Sequence, residues 1–305
     1  MVYYPGQKGM IFVRSQQEML SLILNQAENT PQVRLVFLNG SRAAEKPNDQ
    51  WQDYDIAWGV TDLSPFLAEN HWLEPFGKRL LMQTPEDMEL FPPSLGGWHT
   101  WLMQFEDGNR VDLLLFPLTD LERYLSQDSQ VRLLLDKDKR IQSLPSPSDR
   151  AFWVKRPTAG EYRDCCNEFW WVAPYVAKGL CRHQPLYVLH HLEGLRKELL
   201  RMLSWKAGCE KDFQLSVGKC CGELEKLLPA DVWRRLLSCW CGPEEGEQWK
   251  ALWNLSELFL SAAEQTAALG GFEMNHQEAE GSMKLLRRMR QEYHEKKEEY
   301  SHVGL

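Results

Sequence analysis

Leu38-Asn39-Gly40-Ser41-Arg42, and after a polar spacer Gln52-Asp53-Tyr54-Asp55-Ile56-Ala57-Trp58, is the stretch on which the reading of this chain turns. Residues 33–38 (VRLVFL) form a β-type run that Asn39-Gly40-Ser41 breaks sharply. A Gly-Ser pair at a strand end lets backbone N–H groups approach an anion, and the hydroxyl adds a donor. Residues 54–60 (YDIAWGV) read as the next strand. Alternate residues of a strand share a face, so Asp53 and Asp55 would project together. Two neighbouring carboxylates resist joint ionisation unless a cation lies between them. Mg²⁺ takes such hard oxygen ligands together with phosphate oxygens. Taken singly, Asp-x-Asp also reads as a solvated strand edge, and Gly-Ser as a plain turn.

Working outward, residues 79–83 (RLLMQ) are a third strand candidate, and residues 100–105 and 110–116 form a hairpin around Glu106-Asp107-Gly108-Asn109, where Asp-Gly is a strong turn signal. Asp112 falls inside the second hairpin strand, among Val111, Leu113 and Leu114. A carboxylate there needs a partner. It pairs with an arginine such as Arg110 or Arg79, or it is the third acid of a metal site or a general base beside one. A further strand is expected at 131–135, after a helix near 120–125. Ser15 with Glu18 forms a capping-box pattern ahead of the apolar stripe Met19, Leu20, Leu22, Ile23, Leu24. The order fits a small mixed β-sheet with flanking helices.

A Pro- and Ser-rich segment, 141–149, reads as a linker. It predicts an α+β chain with a sheet domain over 1–145 and an all-α helical bundle over 146–305. In the second half Thr158 and Glu161 form another capping box. Helices are expected from there through Val176, and over 186–205, 215–228, 231–240, 247–269 and 281–300. Pro174 should kink the first of them. His190-His191 lies mid-helix, where adjacent side chains diverge, so packing is the better reading of that pair.

The chain has 305 residues and a net charge of −8. That balance repels nucleic acid and anionic membranes over long range and attracts cationic partners. No apolar run is long enough for a membrane span, and Met1 to Val13 carries no apolar leader core. The eight cysteines match no common zinc spacing and read as free thiols of a cytoplasmic protein.

Gly40-Ser41, Asp53-x-Asp55 and Asp112, in that order along the strands, match the nucleotidyltransferase superfamily pattern. The surrounding strings resemble the aminoglycoside 6-adenylyltransferase family, the streptomycin-modifying enzymes. They include Phe76-Gly77-Lys78-Arg79-Leu80, Pro85-Glu86-Asp87-Met88-Glu89-Leu90-Phe91-Pro92-Pro93, Lys155-Arg156-Pro157-Thr158 and Asp164-Cys165-Cys166-Asn167-Glu168-Phe169-Trp170. Val176-Ala177-Lys178-Gly179-Leu180-Cys181-Arg182 and Ser216-Val217-Gly218-Lys219 extend the likeness through the second half. Met1–Met10 lies outside it, and Trp171 and Pro174 depart from it.

The resemblance implies a nucleotidyltransferase-type sheet domain, a helical substrate-binding domain and an active site between them. It implies AMP transfer from ATP to the 6-hydroxyl of streptomycin, with pyrophosphate release, one or two Mg²⁺ ions and antibiotic resistance. Asp53 and Asp55 would then be metal ligands, and Asp112 a base or a further ligand. Gly40 and Ser41 would bind phosphates, with Arg42, Lys219 and Lys178 as further nucleotide contacts. Acids and aromatic faces suit a guanidinium-bearing antibiotic, which makes Glu168, Asp164, Trp170 and Glu89 the expected substrate contacts, with Glu86 and Asp87 beside them. The expected partners are ATP and a cationic aminoglycoside, with no nucleic acid and no membrane, and the chain a monomer or weak dimer. Two alternatives stand: a nucleotidyltransferase acting on another small hydroxylated acceptor or a protein, and a non-catalytic nucleotide-binding module.

Overall fold

A computed structural model describes residues 12–44 and 51–302, so the expectations for Met1–Met10 lie outside the described residues. The chain forms two compact units, Met1–Ala151 and Phe152–Leu305.

The first unit opens with α1 (Gln16–Asn29), started by the expected capping box: Glu18 N–H donates to Ser15 Oγ, and Ser15 N–H donates to the Glu18 carboxylate. Then come β1 (Val33–Asn39), the single turn α2 (Gly40–Ala43), β2 (Tyr54–Val60) and α3 (Ser64–Ala68). They are followed by β3 (Arg79–Gln83), β4 (His99–Phe105), β5 (Arg110–Pro117), α4 (Leu121–Gln127) and β6 (Val131–Asp136). The sheet order is β3-β4-β5-β2-β1-β6. β2 and β5 run parallel, and the other described pairs are antiparallel.

Strand alternation gives this sheet two different faces. Tyr54, Ile56 and Trp58 of β2 and Val111, Leu113 and Leu115 of β5 pack with Met19 and Ile23 of α1 in one core. The opposite face splits along its length. At one end Leu35, Phe37, Ala57 and Phe116 are covered by Tyr124 of α4, whose ring stacks on Phe116 with centroids 4.4 Å apart. At the other end lie Asp55 and Asp112. The Pro- and Ser-rich segment packs on the first unit: Ile141 and Leu144 join the α4 core, and Ser129 Oγ donates to the Ser148 carbonyl.

Arg14 fastens the start of α1 to the β4–β5 turn. Its Nη2 donates to Asp107 Oδ1 at 3.1 Å, and Asn109 Nδ2 donates to Asp107 Oδ2 at 2.9 Å. Burial raises the Asp107 carboxyl, but the hydrogen bonds from Arg14 and Asn109 outweigh it and hold the group down at about 2, below the ordinary 3.8. A depressed folded-state value contributes stability above the ordinary carboxylate range and loses it as pH falls through about 2. Asp107→Asn is therefore expected to lower the melting temperature at neutral pH, with the gap from wild type closing as the solution approaches that value. A gap independent of pH in thermal melts would remove the charge from the explanation.

The second unit is helical: α5 (Ala159–Cys181), α6 (Pro185–Glu210), α7 (Ala230–Leu237), α8 (Glu245–Gly270) and α9 (His276–His302). Thr158 and Glu161 make the expected capping box. α5 runs on through Pro174. The Trp170 carbonyl, which a residue without N–H cannot bond four positions on, accepts instead from Ser282 Oγ of α9 at 2.9 Å. Phe169 stacks on Phe259 of α8 with centroids 3.8 Å apart, and α5, α6, α8 and α9 share one apolar core.

The predicted helix over 215–228 is absent. That segment holds two short 3-10 turns, Lys219–Cys221 and Leu224–Lys226. Gly218, Cys220 and Cys221 adopt positive φ, which no right-handed helix tolerates.

The cysteines are free. Burial pushes the Cys239 thiol up to about 12, so it packs as a small hydrophobe. No helix among the described residues is long and apolar enough to cross a membrane.

Candidate active site

The site is built on the start of the parallel pair. Asp55 is the direct register partner of Asp112, so the two carboxyl-bearing positions sit side by side on adjacent strands. Asp53, two residues before Asp55, faces the same way.

Gly40 closes the site from β1. Its φ is +67°, and a Cβ built on it would lie 2.6 Å from Asp55 Oδ2. The absence of a side chain is what leaves room for that carboxylate. The turn is fixed by its neighbours: Gly40 N–H donates to the Gln130 carbonyl at 3.0 Å, and Tyr124 OH donates to Asn39 Oδ1 at 2.6 Å. Ser41 follows, half-buried, in the turn of α2.

Arg110 is a cation on this face. Its Nε and Nη2 donate to the two carboxylate oxygens of Asp112, each at 2.8 Å, and its Nε lies 3.6 Å from Asp53 Oδ2. The hydrogen bond with Asp112 is the main cause that raises its pKa, with further contributions from the charges of Asp112, Asp53 and Asp55. The arginine pairing and the acid cluster, weighed as rival explanations of Asp112, are both present. Among the described residues no group of three His, Cys, Asp or Glu side chains is closed around a metal-sized centre. The donor chemistry nevertheless fits a hard divalent cation: Asp55 and Asp112 are register partners on one sheet face, and the Asp55 carboxylate takes up the room left by the missing side chain of Gly40.

Arg42, an expected phosphate contact, is 8% exposed. Its Nε donates to the Asp53 carbonyl at 2.9 Å and its Nη2 to the Gln52 carbonyl at 2.7 Å, and the guanidinium lies over the Tyr54 ring. It fixes the start of β2 and so the spacing of the acids.

Of the acidic run after β3, Glu86 accepts from Thr100 N–H at 2.8 Å and Asp87 lies 3.4 Å from His99 Nε2, so these two tie down β4. Glu89 is exposed.

The remaining expected residues lie in the helical unit. Glu168 is exposed and lines a cavity of about 890 Å³ with Tyr175, His190, His191, Glu193 and Lys197. Asp164, one turn earlier on α5, is exposed and lies 3.6 Å from Arg163. Lys178 sits 5.2 Å from the Tyr175 ring centre, and Lys219 is exposed at the first of the two short turns. Trp170, an expected substrate contact, lines a cavity of about 320 Å³ with Trp171, Tyr175 and Glu278. It is 4% exposed and packs edge-on against Phe259, because three successive aromatics cannot all face outward on a helix. Trp171 is the exposed ring, at 65%.

The sequence offers Arg110 as a partner for Asp112. Its bond with that residue could be read from the period-two alternation, since residues 110 and 112 share a face. Its approach to Asp53 could not, because that depends on how β5 registers against β2.

Comparison with known proteins identifies the family of the chain. The streptomycin adenylyltransferase family profile matches residues 13–289. An aminoglycoside 6-adenylyltransferase of Bacillus subtilis is 46% identical over 250 residues, covering 81% of this chain and 88% of the relative. One from Campylobacter jejuni is 40% identical over 257 residues, covering 84% and 89%. The crystal structure of an aminoglycoside 6-adenyltransferase from Bacillus subtilis aligns at 39% identity and a TM-score of 0.46, covering 91% of this chain and 99% of that one. With a family profile spanning nearly its whole described length and relatives at this identity, the chain belongs to the streptomycin adenylyltransferase family.

Proposed function

We propose that this enzyme transfers AMP from ATP to a hydroxyl of an aminoglycoside, the 6-hydroxyl of streptomycin, releases pyrophosphate and so confers resistance to the antibiotic. The observation that carries the reading is the pairing of Asp55 with Asp112 across the parallel strands, with Gly40 packed on the Asp55 carboxylate. Three acids on one face suit a reaction in which charge neutralisation and in-line positioning do most of the work.

Asp53 and Asp55 are the residues that would hold Mg²⁺. When bound, that ion supplies charge neutralisation at the triphosphate and at the departing pyrophosphate. With its N–H held by the Gln130 carbonyl, Gly40 serves by lacking a side chain, which lets the outer phosphates approach the turn, and Ser41 adds a hydroxyl. Asp112 takes the proton of the attacking hydroxyl, since it lies beside Asp55 on the neighbouring strand. Arg42 does not touch substrate in this reading. It keeps Asp53 and Asp55 at the strand start through the two carbonyls it binds. Lys219 and Lys178 are proposed as further nucleotide contacts. Glu168 and Asp164, four residues apart on α5, give the cationic acceptor an acidic face. Glu168 does so from the wall of a cavity large enough for a small ligand.

The test is pyrophosphate release from ATP and Mg²⁺ with a panel of aminoglycosides. Release is expected with streptomycin. Release with other members alone would move the acceptor, and none with any member would overturn the proposal.

A further inference from the structure

Arg110 presents a problem that the proposed chemistry must solve. Its guanidinium covers both oxygens of Asp112 and stands 3.6 Å from Asp53, so one fixed positive charge already occupies the face on which a divalent cation would sit. A carboxylate held bidentately by arginine is neither a ready ligand nor a ready base. Two like charges a few Å apart in a half-buried site repel strongly. Arg42 cannot relieve the conflict, because it is buried and bound to the Gln52 and Asp53 carbonyls. The Arg110 side chain, by contrast, is 41% exposed, which gives it room to turn.

We infer that Arg110 is the resting counter-ion of the acid face and that it changes partners when nucleotide arrives, leaving Asp112 for a phosphate oxygen. The inference rests on the nucleotidyl-transfer reading above. A guanidinium fork fits phosphate as it fits carboxylate. A cation arriving alone would have to displace Arg110 with nothing to receive it. A cation arriving with a triphosphate brings the anion that Arg110 moves to. Cation and nucleotide therefore bind together, and the same exchange uncovers Asp112 at the moment an acceptor proton has to be taken. Without nucleotide, Arg110 offsets part of the acids' charge and disfavours the cation.

The experiment follows Mn²⁺, as a probe of the cation site, by electron paramagnetic resonance on the full chain. Wild type, Arg110→Gln and Arg110→Lys are titrated with and without α,β-methylene-ATP, whose α–β bridge cannot be cleaved. Circular dichroism confirms that each is folded. Without nucleotide, Arg110→Gln should bind Mn²⁺ at least about tenfold more tightly than wild type, the scale expected for removing one nearby charge. With the analogue the order should reverse, the variant binding it about tenfold more weakly, and Arg110→Lys should fall between. A residue that merely braced the strand would not raise the affinity for a cation when removed. Equal Mn²⁺ affinity of folded Arg110→Gln and wild type without nucleotide overturns the inference while leaving the transfer reading intact. Failure of wild type to bind Mn²⁺ even with the analogue overturns both.

Discussion

Asp55→Asn is expected to lower kcat/KM for adenylyl transfer by roughly a thousandfold or more, equivalent to about 4 kcal/mol of transition-state stabilisation, while the chain stays folded. The substitution keeps the shape of the side chain and removes its charge. Asp55 is the best placed of the acids to show this. It faces Asp112 in register and touches the space left by Gly40, whereas Asp53 lies at the strand's edge with its side chain 36% exposed. An amide at this position also removes one of the like charges crowded on the face, so thermal stability should hold or rise slightly. That combination, a large kinetic loss without a loss of stability, separates a chemical role from a structural one. Retention of more than about a tenth of wild-type turnover in a steady-state assay would remove Asp55 from the reacting centre.

Gly40→Ala should be nearly as damaging, for a different reason. Two penalties coincide at one atom. The backbone at φ +67° is strained for any residue with a Cβ, and the new methyl would meet Asp55 Oδ2 at 2.6 Å. The left-handed conformation alone costs on the order of 1–2 kcal/mol. The steric conflict is relieved only if Asp55 turns away or the turn after β1 shifts. Either response displaces the carboxylate by a sizeable fraction of an ångström, and misplacement of about 1 Å costs on the order of a hundredfold in rate. The expected outcome is a fall of about a hundredfold in kcat/KM together with a melting temperature several degrees lower. Gly97→Ala is the control: it also has positive φ, but nothing lies within 4 Å of its would-be Cβ. It should lose stability with little change in rate. Equal rates for the two variants in the same assay would show that contact with Asp55 is unimportant.

Much of this site was legible from residue order, because its parts obey short-range rules. Gly-Ser after an apolar run, acids at spacing two, and Asp-Gly between two strands each have a local physical cause. The capping boxes at Ser15 and Thr158 formed for the same reason. What failed was also local, but ambiguous. Val217, Cys221, Leu224 and Leu228 have the 4-3-4 spacing of a helix face. The positive φ values at Gly218, Cys220 and Cys221 fold that segment into two tight turns instead, and each apolar side chain still reaches the core. Arg42 and Arg110 show a different limit. Both are arginines near the acids, and composition does not distinguish them. One is bound to backbone carbonyls and the other to carboxylates, a difference set by pairings between distant strands.

The parallel pairing of β2 with β5 has a consequence for how the molecule acquires its activity. β4 and β5 are joined by a tight turn and meet early in folding, as neighbours in the chain do. β2 and β5 are separated by the whole of β3, β4 and their connections, so their contact closes a long loop and carries the larger entropic cost. Asp55 and Asp112 come together only on that closure. The acid face is therefore expected to be completed late, after the hairpin and the first helix have formed.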